Sequence, residues 1–374
     1  MNNDYQRSID GLRGLAILLV IMFHRDIAYF GWTGVILFFV LSGYLITRVL
    51  LIEKEKELPL RTKFKNFWAR RILRIFPIYY LYLFILIIIL LVKWVPAQVG
   101  MEIPYLFTYT YNFYLINVYD REGPSFLAGH FWSLSIEEQF YLLYFFVIFL
   151  CKRKQLKIAV IGLIVLSVLF RTFFTEYPSD YMGNSNGYLD YHPLAYVDSF
   201  LCGAVIFIFK LDKLKPSFHY FIFIISILIT LSGGLFIYLG ITNETFHIRK
   251  YFSSFGIEAH YTKNFYRVWG LLQLNLLFSS LLLLLISPVK NKIHLWLKRI
   301  FELKPLVAIG KVSYGMYVFH GIVIWLLIDI FDKENAFMNK YIFFVLCLVA
   351  IWLVSFIVYH LYEKRFLAFK EKFR

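Results

Sequence analysis

The sequence predicts an all-α polytopic membrane protein of about ten transmembrane helices, with both termini in the cytoplasm. Three observations predict it. Of the 374 residues, 60% are apolar and 21% aromatic, and the mean hydropathy is +0.65; a soluble domain has no interior able to hide that fraction. Apolar runs near the ~20 residues that cross a ~30 Å hydrocarbon core recur along the chain. The Lys and Arg residues, in turn, gather in alternate connections between those runs.

The runs lie at 11–30, 32–52, 72–95, 131–151, 158–174, 193–210, 219–241, 268–288, 306–330 and 340–361. The stretch from Ile103 to Val118 is aromatic but carries Tyr, Thr and Asn throughout, and it reads as an interfacial or re-entrant piece instead of a span. A net charge of +15 raises the prospect of a nucleic-acid partner. Its distribution argues against one: 27 of the 39 Lys and Arg lie in the N-terminal tail, 53–74, 152–157, 210–215, 290–311 and the C-terminal tail. All of these share one side if ten helices alternate, and the positive-inside rule makes that side the cytoplasm. The connection 177–191 is polar and nearly free of Lys and Arg, so it faces outward.

The first run lacks a small-residue cleavage site and carries Arg13 and His24, so it is expected to stay as helix one and not to be removed as a signal peptide. The three cysteines, Cys151, Cys202 and Cys347, lie in or at the ends of spans without paired or metal-like spacing. No metal site is expected. With no repeat and no linker, a single integral domain over 1–374 is expected in the plasma membrane, without an appended soluble domain.

Four constellations carry chemistry. Arg13 and His24 are eleven residues apart in the first run, close to three turns, which puts both on one helix face about 16 Å apart along the axis. Ionisable groups at membrane depth are costly enough to suggest function. Arg71 and Arg74 stand three apart at a helix entrance before Pro77, where two guanidinium forks suit phosphate oxygens; the same pair equally suits topology and anionic lipid headgroups. Glu137 and Glu138 lie about two turns inside the fourth span, where a carboxylate is paired, protonated or open to a cavity. Ser313, Tyr314 and His320 put two hydroxyls and an imidazole into the ninth span, and interhelical hydrogen bonding is the plain alternative for each.

The motifs Ile9-Asp-Gly-Leu-Arg-Gly-Leu-Ala16 running on to His24, Phe38-Phe-Val-Leu-Ser-Gly-Tyr44, Arg71 to Arg74 with Pro77, Phe131-Trp-Ser-Leu-Ser-Ile-Glu-Glu-Gln-Phe-Tyr141, Asp198 to Gly203 and Ser313 to His320 occur in this order. Together they resemble the integral-membrane acyltransferase family 3, bacterial O-acyltransferases of cell-surface carbohydrates. The resemblance covers most of the chain, leaving the outer connections and spans seven and eight without a signature. It implies transfer of an acyl group, usually acetyl, from cytoplasmic acyl-coenzyme A to a hydroxyl of a glycan or glycolipid. It further implies that Arg13, Arg71 and Arg74 bind the donor and that His24 is the base, with Glu137 or else Glu138 orienting it. Asp10, Ser42, Ser313, Tyr314 and His320 are secondary candidates, the hydroxyls as oxyanion donors.

Two other readings stand beside this one. A lipid, peptide or small-molecule hydroxyl is the alternative acceptor. A proton-coupled transporter also places Arg, Glu and His inside a helical bundle, but it should show two related halves, which this sequence lacks. The topology has a direct test. A reporter fused after Arg374, or inserted between Lys152 and Lys157, is expected in the cytoplasm, and one near Asn184 outside the cell; an external C-terminus removes the even-span arrangement.

Overall fold

The computed structural model describes residues 6–92, 98–118, 123–176, 185–240, 266–288, 291–331 and 339–373. Asn184 and Arg374, the two reporter positions, lie outside them. The described residues form helices without a β-strand among them. In chain order these are α1 (Arg7–His24), α2 (Thr33–Glu55), α3 (Leu60–Leu91), α4 (Gln98–Phe107), α5 (Tyr111–Val118), α6 (Trp132–Leu150) and α7 (Arg153–Glu176). They continue with α8 (Val197–Ile208), α9 (Pro216–Gly240), α10 (Tyr266–Ile286), α11 (Lys292–Phe301), α12 (Lys304–Lys311), α13 (Ser313–Phe331), α14 (Lys340–Val358) and α15 (Lys364–Phe369).

Every apolar run read from the sequence falls on a helix. Among the described residues, 7 helical stretches are long and apolar enough to cross a bilayer, within α2, α3, α6, α7, α10, α13 and α14 with its extension. Helix α8 and the Pro216–Ser232 part of α9 are shorter apolar helices, and α1 has 18 residues.

Three boundaries differ from the sequence reading. Helix α1 stops at His24 instead of continuing toward residue 30, because the charged Arg25-Asp26 step turns the chain through left-handed backbone at Asp26, φ 52°. Helix α3 begins at Leu60, behind Pro59, so Arg71 lies three turns inside a helix and not at its entrance. Lys and Arg are good helix formers, and no breaker separates Leu60 from the apolar part. The run expected at 306–330 is divided between α12 and α13 around Val312.

The chain forms two compact units, each discontinuous in sequence. The first comprises Met1–Arg48, Cys151–Leu189 and Leu194–Lys311. Within it, a Cβ added at Gly43 would overlap the Phe200 carbonyl, and one at Gly203 the Val40 carbonyl. Helices α2 and α8 therefore cross in backbone contact, the packing that small residues permit where lipid offers no hydrophobic drive. The same closeness joins α1 to α12, since Gly310 abuts the carbonyl of Asp10.

Beside the α2–α8 crossing lies an ion pair with no solvent exposure on either side chain. Arg171 donates to Asp198 through Nη1 at 2.8 Å and Nη2 at 2.6 Å, to the Ala195 carbonyl at 2.6 Å and to Ser167 Oγ at 3.1 Å. Ser167 in turn donates to Asp198 and to the Leu194 carbonyl. The pair ties α7 to the start of α8.

The second unit comprises Val49–Leu150, Asp190–Pro193 and Val312–Arg374. Its distinctive feature is the hairpin formed by α4, Thr108–Thr110 and α5. Tyr79 and Tyr80, in the middle of α3, donate to the carbonyls of Leu106 at 2.8 Å and Phe107 at 3.0 Å. The hairpin tip therefore lies level with a point about 16 Å along α3 from its C-terminal end at Leu91. The stretch Ile103–Val118, expected as an interfacial or re-entrant piece, is thus a helical hairpin packed against α3 and not a single continuous helix. Its base is fixed by Glu102, which accepts from Tyr111 Oη at 2.9 Å, from the Ser125 N–H at 3.1 Å and from Ser125 Oγ.

Asp198→Leu strands Arg171 with its charge buried and is expected to cost about 3–5 kcal/mol. Thermal unfolding in detergent reads this as a lost or strongly lowered transition. The double substitution Arg171→Met with Asp198→Leu is expected to regain most of it, and wild-type stability of the single variant would contradict the assignment.

Candidate active site

Each unit places its own sequence-predicted residues. In the first, α1 is one uninterrupted helix from Arg7 to His24, so Arg13 and His24 do share a face about 16 Å apart along the axis. Arg13 donates to Asp10 at 3.2 Å, one turn earlier. Asp10 is buried, and Arg13 keeps 22% of its side chain exposed. His24 is the last helical residue and is half-buried. The carboxylate acting on it within this unit is Asp26, held in the left-handed turn just beyond. Ser42 is half-buried on α2.

In the second unit, Arg71 lies flat on the Tyr141 ring, its guanidinium carbon 3.8 Å from the ring centre. Glu137 is 4.0 Å from Arg71 Nη2 and accepts from the Tyr141 hydroxyl. Arg71 also faces Glu138 and Tyr314. The sequence-predicted Arg71, Glu137, Glu138 and Tyr314 thus form one cluster on α3, α6 and α13. Arg74, one turn on, has its charge turned to Glu363. Tyr314 donates to the Ile75 carbonyl at 2.8 Å, which commits its hydroxyl to the backbone near Pro77.

His320 belongs to a second cluster. Its ring lies 4.4 Å from that of His130, and both are buried. His320 Nδ1 is 2.6 Å from the Tyr317 carbonyl, His130 Nε2 is 3.2 Å from the Val318 carbonyl, and the Tyr317 hydroxyl bridges the His130 carbonyl and Ser133 Oγ. Ser313 is buried at the start of α13.

Among the described residues, no group of three or more His, Cys, Asp or Glu is placed to hold a metal ion. Outside the spans, burial holds the His192 imidazole below its ordinary range, so the connection that packs against Phe113 of α5 carries a neutral ring.

A family model described as an acyltransferase domain matches residues 6–360. The chain belongs to the integral-membrane acyltransferase family 3. It is 31% identical over 349 residues to the peptidoglycan O-acetyltransferase of Listeria monocytogenes, covering 88% of this chain and 51% of that protein. A putative O-acetyltransferase of Staphylococcus aureus is 31% identical over 346 residues, 86% of this chain and 51% of that one. A putative peptidoglycan O-acetyltransferase of Bacillus subtilis is 35% identical over 174 residues, 43% of this chain and 27% of that protein. The chain therefore spans about half the length, or less, of these curated relatives. No solved structure matches it.

The structure of this acyltransferase-family chain adds residues that the sequence did not single out. Tyr109 sits at the hairpin tip in left-handed backbone, φ 54°, uncommon for an aromatic residue. Its ring is stacked on Tyr79 at 4.4 Å and on Phe76 at 5.5 Å. Gln139, next to the two glutamates on α6, holds the tip: its Nε2 donates to the Tyr109 carbonyl at 2.8 Å and to Asn112 Oδ1 at 2.9 Å. A non-glycine tip between two aromatic helices leaves no periodic pattern, and Gln139 gave no signal beyond its place in the motif. Asp26 stood only two residues beyond His24.

Gln139→Leu removes both tip hydrogen bonds. Hydrogen exchange at the amides of residues 106–112 is expected to rise roughly tenfold, the effect of losing about 1–1.5 kcal/mol of local stability. Unchanged exchange there in the folded variant would show the hairpin to be held without Gln139, by its ring stacking and the Tyr79 and Tyr80 hydrogen bonds.

Proposed function

We propose that this chain is a membrane O-acetyltransferase module that moves an acetyl group from cytoplasmic acetyl-coenzyme A to a hydroxyl of cell-wall glycan. The observation that carries the reading is the face of α1, which presents a guanidinium and an imidazole about 16 Å apart, a span that suits the thin pantetheine arm of an acyl-coenzyme A. Family membership supports acyl transfer. The names of the relatives, peptidoglycan O-acetyltransferase among them, support acetyl as the group and a wall glycan as the acceptor.

The residues proposed for the donor are Arg13, Arg71 and Arg74, each argued from its own helix. Arg13 and Arg74 each keep one carboxylate neighbour, Asp10 and Glu363. Arg71, offset by two carboxylates and stacked on Tyr141, suits a less charged part of the donor.

His24 is proposed as the base. In the transfer step the acceptor oxygen attacks the thioester carbonyl as the imidazole takes its proton. The C–S bond then breaks, and the departing thiolate recovers that proton as the new ester forms. A carboxylate steadies the imidazolium in between. Asp26 is placed for this on the same segment, while Glu137, the sequence candidate, engages Arg71 and Tyr141.

Gln hydrogen-bonds as His does but takes no proton at neutral pH. His24→Gln is therefore expected to keep its fold and its coenzyme A binding while acetyl transfer, followed by mass spectrometry of the wall glycan, falls by a factor on the order of 10² to 10⁴. Full transfer by the well-expressed variant would refute the base assignment.

A further inference from the structure

The second unit holds a set of buried polar atoms that the protein itself leaves open. Tyr109 Oη, Glu138 Oε2, and Arg71 Nε and Nη2 are all buried without a hydrogen-bond partner among the described residues. Glu138 is within electrostatic reach of both Arg71 and Tyr109, and Gln139, the next residue on α6, holds the Tyr109 carbonyl. An unpaired buried group is costly, and several on one cluster cost a sizeable fraction of a domain's stability. The backbone adds strain, because the tip residue that offers the hydroxyl is held left-handed at φ 54°. Irregular backbone at this depth is tolerated where it is enclosed by protein or lines a cavity. A tip that is strained, pinned by Gln139 and left with open hydrogen-bonding groups is organised for a ligand.

The chemistry of that ligand follows from the open groups. Guanidinium N–H groups only donate, a carboxylate oxygen only accepts, and a phenol does both. The ligand must therefore offer acceptors and donors together. It must also be uncharged, since the single Arg71 charge is already offset by the carboxyl groups beside it. And it must be slim. The Tyr109 ring has Tyr79 and Phe76 stacked against it, so it offers its hydroxyl in preference to an open face on which a sugar ring might stack. Secondary amides on a narrow chain meet all three demands.

We propose that Tyr109 and Glu138, with Arg71, bind the amides of the pantetheine arm of acyl-coenzyme A. An amide carbonyl accepts from the Tyr109 hydroxyl or from Arg71, and an amide N–H donates to Glu138 Oε2. The inference rests on the donor named under Proposed function and gives that donor a binding site.

The test uses the full chain in nanodiscs, with coenzyme A and adenosine 3′,5′-bisphosphate, which lacks the arm, as calorimetric ligands. Tyr109→Phe keeps the ring stack and removes the hydroxyl; Glu138→Met removes the acceptor at similar volume. Each is expected to lower coenzyme A affinity roughly tenfold and to leave bisphosphate affinity within about twofold, with the Tyr109→Phe melting temperature unchanged or raised because an unpaired group is gone. Three results would overturn the proposal: coenzyme A affinity retained by folded Tyr109→Phe, an equal loss for both ligands, or loss of binding to a pentamer of N-acetylglucosamine with coenzyme A untouched. If the wild-type chain binds no coenzyme A, the donor reading falls and takes this inference with it. If the variants alone keep wild-type binding, only the inference falls.

Discussion

Hydrocarbon supplies no hydrogen bonds, and this constraint governs where the chain can place a charge or break a helix. The Arg171–Asp198 pair is its fullest expression. With both side chains at zero exposure, the carboxylate is met through both oxygens and the guanidinium donates to a carbonyl and a serine as well. Removing either partner would leave a bare charge where none is tolerated. The motif from Asp198 to Gly203 thereby serves packing twice: its first residue neutralises α7, and its last lets α8 lie against α2.

The Arg71 cluster answers the same constraint in a different way. Arg71 is stacked on Tyr141 and stands among Glu137, Glu138 and Tyr314, but two of its nitrogens and one Glu138 oxygen have no hydrogen-bond partner among the described residues. The difference is one of saturation. Arg171 leaves a single nitrogen unbonded after four hydrogen bonds, whereas the Arg71 cluster leaves open groups of both kinds next to one another. A closed network fixes a fold, and an open one of this composition is what a polar ligand segment would complete. Glu137 and Glu138 therefore divide the work, the first holding Arg71 and Tyr141 in place and the second keeping an oxygen available.

Much of the fold was legible because hydropathy and charge act locally. Each apolar run carries helix, and Ile103–Val118, whose Tyr, Thr and Asn made it a poor span, is a helical hairpin. What misled was helix propensity carried across a hydropathy boundary: the Lys- and Arg-rich stretch before residue 72 reads as a connection, yet nothing after Pro59 breaks it, so Arg71 rides three turns up α3. At the other extreme, α1 ends at His24 because a left-handed turn at the exposed Asp26 follows, which the apolar pattern of the run does not signal. Of the site, the motif residues Arg71, Glu137, Glu138 and Tyr314 were visible as types in spans, and the structure brings them together. Tyr109 was not visible, because its role depends on long-range contacts to Phe76, Tyr79 and Gln139.

Sequence position alone also did not show how differently His320 and His24 are surrounded. His320 lies in a motif, but it is buried against His130 and bonded at Nδ1 to the Tyr317 carbonyl, with Tyr317 in turn tied to His130 and Ser133. Those contacts join α13 to the turn before α6. His24 is in the opposite situation. It ends its helix half-exposed beside an aspartate in strained backbone, on the face that also carries Arg13. Its ring lies edge-on to Phe23 with Asp26 close by, and a neighbouring carboxylate is what the proposed proton transfer would use. The difference lies in what each ring's surroundings already satisfy, which is why the two histidines, alike in the sequence as ionisable groups inside spans, separate once their neighbours are known.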